Sequence, residues 1–163
     1  MSKTPSIVGG LCLALITMPL FAQVRINPND DVTLRGTTNY NATWPFGLFV
    51  KNSSDVSYIE FTLGVVSATQ AKLVLYEAQG TAAAPWTVVV KGSEFSFDEA
   101  TFTAYTTGSA WPQVGTIPGV QAAAFYELDL TAWYNDNLGK TMSLFLTRNI
   151  QPSGDGVIFE DKE

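Results

Sequence analysis

The chain has 163 residues, with 15 acidic against 9 basic side chains, a net charge of −6 and no histidine. Its basic residues form no run and no helical stripe, so the phosphate-neutralising charge on which nucleic-acid binding rests is missing. Without histidine, and with Cys12 as the single cysteine, Ser–His–Asp triads and the ordinary zinc and haem sites are excluded.

The first segment reads as a secretory signal peptide over residues 1–22. Lys3 supplies a positive start, residues 7–16 an apolar stretch, and Leu20-Phe21-Ala22 a cleavage site before Gln23. The apolar stretch is about ten residues, half of the ~20 that span a bilayer. Cys12 lies inside it and is preceded by Leu11 rather than the small residue of a lipoprotein site. The expectation is therefore export, to the cell surface or beyond, with residues 23–163 forming one domain that contains no cysteine.

Beyond the leader the pattern is short alternation broken by Gly, Pro, Asn, Ser and Thr. Strands are expected at residues 32–35, 48–51 and 57–63, the last with Ile59, Phe61 and Leu63 on one face. Residues 71–77 follow, with Ala71, Leu73 and Leu75 inward. Further strands are expected at 86–90, 102–105, 126–130 (Tyr126, Leu128 and Leu130 alternating with Glu127 and Asp129) and 143–147. Residues 131–135 read as a short helical turn, stopped by Gly139. Residues 80–85 and 106–119, rich in turn-forming residues, read as loops. Short strands at this spacing, without helical stretches between them, predict an all-β fold: an antiparallel two-sheet β-sandwich, jelly-roll-like.

Carboxylates are the only catalytic chemistry that composition allows. Asp30/Asp31, Asp98/Glu99 and Glu160/Asp161/Glu163 are the clusters that could act as a glycosidase acid and base. Strand alternation sends adjacent side chains to opposite faces, so no enzyme is expected. Oxygen ligands also suit Ca²⁺, and a structural calcium ion would take Asp30 and Asp31, beside Asn29, and Asp155. For a sugar ligand, Tyr40, Trp44 and Trp111 are the candidate aromatic platforms, while Trp86 and Trp133 adjoin apolar strands and read as core. Arg35, Lys51 and Arg148 are the candidate partners for a uronate carboxylate.

Several segments follow one another in a recognisable order. They are Asp30 through Gly36, Thr38-Asn39-Tyr40 with Leu48-Phe49-Val50-Lys51-Asn52, Tyr58-Ile59-Glu60-Phe61, and Ser67 through Tyr76. Then come Glu99-Ala100-Thr101-Phe102-Thr103, Asp129-Leu130-Thr131, Leu144-Phe145-Leu146 and the closing Phe159-Glu160-Asp161-Lys162-Glu163. Together they resemble the DNRLRE domain, a family of secreted β-sandwich modules related to alginate-type carbohydrate-binding modules and to modules of archaeal disaggregatases. The resemblance implies a non-catalytic carbohydrate-binding module that attaches a cell surface or partner enzyme to a polysaccharide. The alternative is a structural or adhesive surface module without sugar specificity. Four positions depart from the family pattern: Glu60 stands where a basic residue is usual, Asp55 where Arg is common, Thr62 where Asp is frequent and Ala104 where Trp follows. These changes remove positive charge from a polyanion site. The family also continues past the closing motif into an apolar strand, so the domain is expected to lack its final strand here.

Overall fold

The computed structural model describes residues 26–40, 47–51, 55–77, 85–104, 106–121, 123–148 and 156–159. The signal segment 1–22, most of the loop at 80–85 and residues 160–163 of the closing motif lie outside the described residues.

The described strands are β1 (Asp30–Arg35), β2 (Thr38–Asn39), β3 (Leu48–Val50), β4 (Asp55–Thr62), β5 (Lys72–Glu77), β6 (Trp86–Ser93), β7 (Gln113–Val120), β8 (Ala124–Asp129), β9 (Thr141–Arg148) and β10 (Val157–Phe159). They pair antiparallel in two sheets, one ordered β2-β1-β4-β9-β6-β7 and the other β3-β10-β5-β8. The chain is thus an all-β sandwich, as the alternation predicts.

Alternation builds the core between the sheets. Ile59 of β4, Leu73 and Leu75 of β5, Val88 and Val90 of β6, Leu144 and Leu146 of β9, and Phe159 of β10 meet there, all buried. Phe61, Tyr126 and Leu128 pack at its margin. The opposite face of β4 is also buried. Val56 and Tyr58 join Val32, Leu34, Phe97 and Phe145 in a second apolar cluster on the outer side of the six-stranded sheet. The cover is the long β6–β7 connection, residues 94–112, which lays Phe97, Phe102 and Trp111 over Tyr58, with Phe95 packed on Phe102 and Trp111. One strand therefore holds two cores together, Ile59 facing one and Tyr58 the other.

Polar side chains pin this cover. The Tyr58 hydroxyl accepts from the Gly108 N–H at 2.9 Å, and the Glu60 carboxylate accepts from the Phe97 N–H at 2.9 Å. Ser143 donates to the Phe95 carbonyl at 2.7 Å. Burial pushes the Tyr58 phenol up to about 12, with the Gly108 N–H opposing.

Two expectations change. Residues 102–105 were expected as a strand, but 102–104 are irregular, and Tyr105 lies outside the described residues. The reason is local: Asp98 accepts the N–H groups of Ala100 through its side chain and of Thr101 and Phe102 through its carbonyl, which curls the segment into a turn. Residues 106–119 were expected as a loop, but they hold a 3₁₀ helix, Thr107–Ala110, and most of β7. The Gly and Pro that read as loop signals are tolerated because β7 is an edge strand. Gly115 lets β7 pack closely on β8, since a Cβ there would lie 2.6 Å from the Leu128 side chain.

The expected helical turn forms as α1, Thr131–Asp136, and Gly139, at φ 73°, ends the turn that follows it. Trp133 projects onto Gly92 at the sandwich end, where a Cβ would be 2.9 Å from the indole nitrogen. Asn135 clamps the β4–β5 connection, accepting from the Ala68 N–H and donating to its carbonyl, each at 2.9 Å. No helix among the described residues is long and apolar enough to cross a membrane.

Candidate functional site

The structure brings several predicted sugar-contact residues to one end of the six-stranded sheet. Arg35 closes β1 opposite Asp55, the first residue of β4, and Arg148 closes β9 at the same end. The Arg35 Nε donates to the buried Asp55 carboxylate, and its guanidinium sits 5.0 Å above the Tyr40 ring. The hydrogen bond to Asp55 raises the pKa of Arg35 further. Lys51 joins them through its backbone, its N–H reaching the Asp55 carbonyl at 3.2 Å. The Arg148 guanidinium sits over the buried Trp86, its Cζ 3.3 Å from the ring centroid, and burial lowers its pKa. Both guanidiniums are thus occupied within the fold, one against a carboxylate and one against an indole.

The other predicted residues disperse. Trp111 is half-buried in the outer cluster, its ring 5.7 Å from Tyr58 and 5.3 Å from Phe95. Trp86 and Trp133 pack on the inner core, as their neighbours predict. Trp44 and Asp155 lie outside the described residues. Asp30 and Asp31 diverge, with Asp31 buried and Asp30 half-buried on the opposite face of β1. A calcium ion needs its oxygens converging, so this pair does not fit one, and no group of three or more potential metal-ligating side chains gathers among the described residues. Asp98, of the Asp98/Glu99 pair, is engaged in its own turn.

A different surface has the makings of a site: the outer face of the four-stranded sheet. The register of β5 on β8 pairs Lys72 with Asp129, Val74 with Glu127, and Tyr76 with Phe125. All six side chains point away from the inner core, because Leu73, Leu75, Tyr126 and Leu128 take the other face. Phe125 is 72% exposed and Val74 49%. The Phe125 and Tyr76 rings lie 4.9 Å apart, tilted by 50°. Beside them Lys72 donates to Glu127 Oε2 at 2.6 Å. Asp129 accepts the Thr131 N–H at 2.8 Å and its hydroxyl at 2.6 Å, both on Oδ1, and these bonds hold its pKa below the usual carboxylate value.

This face combines an open aromatic pair with carboxylate acceptors on a rigid sheet. Sequence reasoning placed its alternation correctly but did not select it. The sequence points to Tyr40, Trp44 and Trp111 as platforms, whereas the exposed ring belongs to Phe125, one residue before the expected strand at 126–130. A signal was present in the out-facing Val74-x-Tyr76, since apolar residues on the solvent phase of a strand are the ones that ask for a partner.

No protein-family model matches the chain, and no curated protein matches it.

Proposed function

We propose that this chain is a secreted, non-catalytic β-sandwich module of the DNRLRE type that attaches a cell surface or a partner enzyme to a polysaccharide. The observation that carries the proposal is the exposed Phe125 ring beside Tyr76 on the outer face of the four-stranded sheet. A pyranose has one face of C–H groups, which stacks on the electron-rich face of an aromatic ring, and a rim of hydroxyls, which hydrogen-bond to fixed acceptors. Glu127 and Asp129, in line with Phe125 on β8, supply such acceptors.

Affinity electrophoresis in gels containing alginate, pectin or neutral glucans tests this. The wild-type protein is retarded by at least one glycan, and Phe125→Ala weakens that retardation roughly tenfold, the factor for about 1.4 kcal/mol of lost stacking. Unaltered mobility on every glycan would sink the proposal. Release of reducing ends or unsaturated products from the same polymers would overturn its non-catalytic part. A structural or adhesive role is the second reading, and one observation favours it: Val74, Tyr76 and Phe125 form a contiguous apolar patch beside the β8 sheet edge, which a protein partner could equally cover.

A further inference from the structure

We infer that the Tyr76–Phe125 face takes an uncharged, hydroxyl-rich glycan and rejects polyuronates. The inference rests on the polysaccharide-binding reading and adds the chemical class of the ligand at that site.

The argument is one of charge and of unspent hydrogen-bonding capacity. Three ionic side chains share the face with the rings: Lys72 from β5, and Glu127 and Asp129 from β8. Lys72 is held by Glu127 at 2.6 Å, which leaves the carboxylate of Asp129 as the face's net charge. A uronate would bring its own carboxylate into this acidic strip and meet like charge at close range, which costs affinity. A neutral sugar brings only hydroxyl donors. Those have acceptors waiting, because Thr131 occupies Oδ1 of Asp129 and Lys72 occupies Oε2 of Glu127, so Oδ2 and Oε1 retain their lone pairs. Phe125, Glu127 and Asp129 alternate along one strand, so ring, acceptor and acceptor form a line about 13 Å long. That suits a short stretch of a linear chain, stacked at one end and hydrogen-bonded along the rest.

The two arginines that would have served a uronate sit elsewhere, engaged with Asp55 and Trp86. Polyuronate binding at that end of the molecule would not depend on Phe125. The informative quantity is therefore the difference in retardation between the wild type and Phe125→Ala.

That difference is measured on a neutral β-glucan, a galactomannan, alginate and polygalacturonate, with thermal midpoints confirming that each variant is folded. The expected result is a difference on a neutral polymer of roughly tenfold, and none on either polyuronate. Glu127→Lys frees Lys72 and adds a cation beside it, so this variant gains polyuronate retardation severalfold over wild type. A Phe125-dependent retardation on alginate or polygalacturonate would overturn the ligand class while leaving the face as the site. So would Glu127→Lys remaining indifferent to polyuronate, since charge would then not select. No Phe125-dependent retardation on any polymer would instead overturn the underlying reading. A concentration-dependent dimer in sedimentation that Phe125→Ala dissolves would assign the face to a second copy of the chain and overturn both.

Discussion

Tyr58 shows how much one side chain can be asked to do in this fold. Its ring touches Phe97, Phe102, Trp111 and Phe145 at centroid distances of 6.1, 5.0, 5.7 and 5.0 Å, and its hydroxyl is the acceptor for the buried Gly108 N–H. Tyr58→Phe keeps the packing and removes the acceptor, so it should cost about 1–3 kcal/mol, the penalty of leaving a buried donor unsatisfied, read as a lower denaturant midpoint at unchanged slope. The alkaline limb gives a second readout. A phenol whose folded pKa is raised favours the protonated form in the folded state. Its contribution is complete below the unfolded value of 10.0 and is lost as pH rises through the folded value of about 12. Wild-type stability should therefore fall between pH 10 and 12 more steeply than that of Tyr58→Phe, and parallel curves would contradict the role given to burial. Nearby, Gly108 leaves no room for a side chain, since a Cβ would be 2.3 Å from the Phe145 ring. Gly108→Ala should cost at least about 1–3 kcal/mol through overpacking.

At the scale of elements, the edge strand β3 is secured by side chains of the opposite sheet. The Phe49 N–H donates to Thr33 Oγ1 at 2.9 Å, and Ser57 donates to the Phe49 carbonyl at 3.1 Å. Ser57 has one proton and spends it there, so the 3.0 Å contact between Thr33 and Ser57 has Thr33 as donor. This ring of bonds satisfies backbone groups that would otherwise form an open edge. Thr33→Val preserves shape and breaks the ring at two points. It should lower stability by about 1–3 kcal/mol and speed exchange of the Phe49 amide relative to amides of β9. An unchanged Phe49 exchange rate would count against the bracing. None of this was legible beforehand, since Thr33 and Ser57 looked like ordinary strand residues. What could be read was alternation. Leu73 and Leu75 are inward and Lys72, Val74 and Tyr76 outward, as period two requires. Alternation failed where a second layer intervened: by period two Tyr58 and Glu60 face water, but the 94–112 connection covers them, and no local pattern announces a cover supplied from residues so distant in sequence. The β7 strand was hidden for the opposite reason, its Gly115 and Pro118 serving packing and an edge position rather than a turn.

For the molecule as a whole, the consequence of two cores sharing a sheet is cooperativity. The strands β4 and β9 contribute to both: Ile59 and Leu144 face the inner core, while Tyr58 and Phe145 face the outer cluster. Neither cluster can come apart without distorting strands that the other depends on, and the polar anchors at Gly108, Phe97 and Phe95 tie the cover to the sheet rather than to itself. Residues 94–112 should therefore behave as part of the fold and not as a detachable flap. Phe97, 8% exposed, tests this at the point where the cover meets Tyr58 and Phe102. Phe97→Ala should cost about 3–5 kcal/mol, in line with other buried phenylalanine truncations. The loss should appear as a single transition at which near-ultraviolet and far-ultraviolet circular dichroism coincide. If the cover were instead an independent layer, the same substitution would release it first. The near-ultraviolet signal of its aromatic residues would then collapse at lower denaturant, with the sheet signal and its midpoint unchanged. The face proposed for glycan binding, on the far side of the four-stranded sheet, provides the internal control. Phe125 is exposed and contributes to neither core, so Phe125→Ala should lower stability only by its contact with Tyr76, about 0.5–1.5 kcal/mol, well below the cost of Phe97→Ala. A glycan-binding defect in Phe125→Ala with no more than that small loss would then belong to the surface, while a loss of stability on the scale of Phe97→Ala would return Phe125 to the fold.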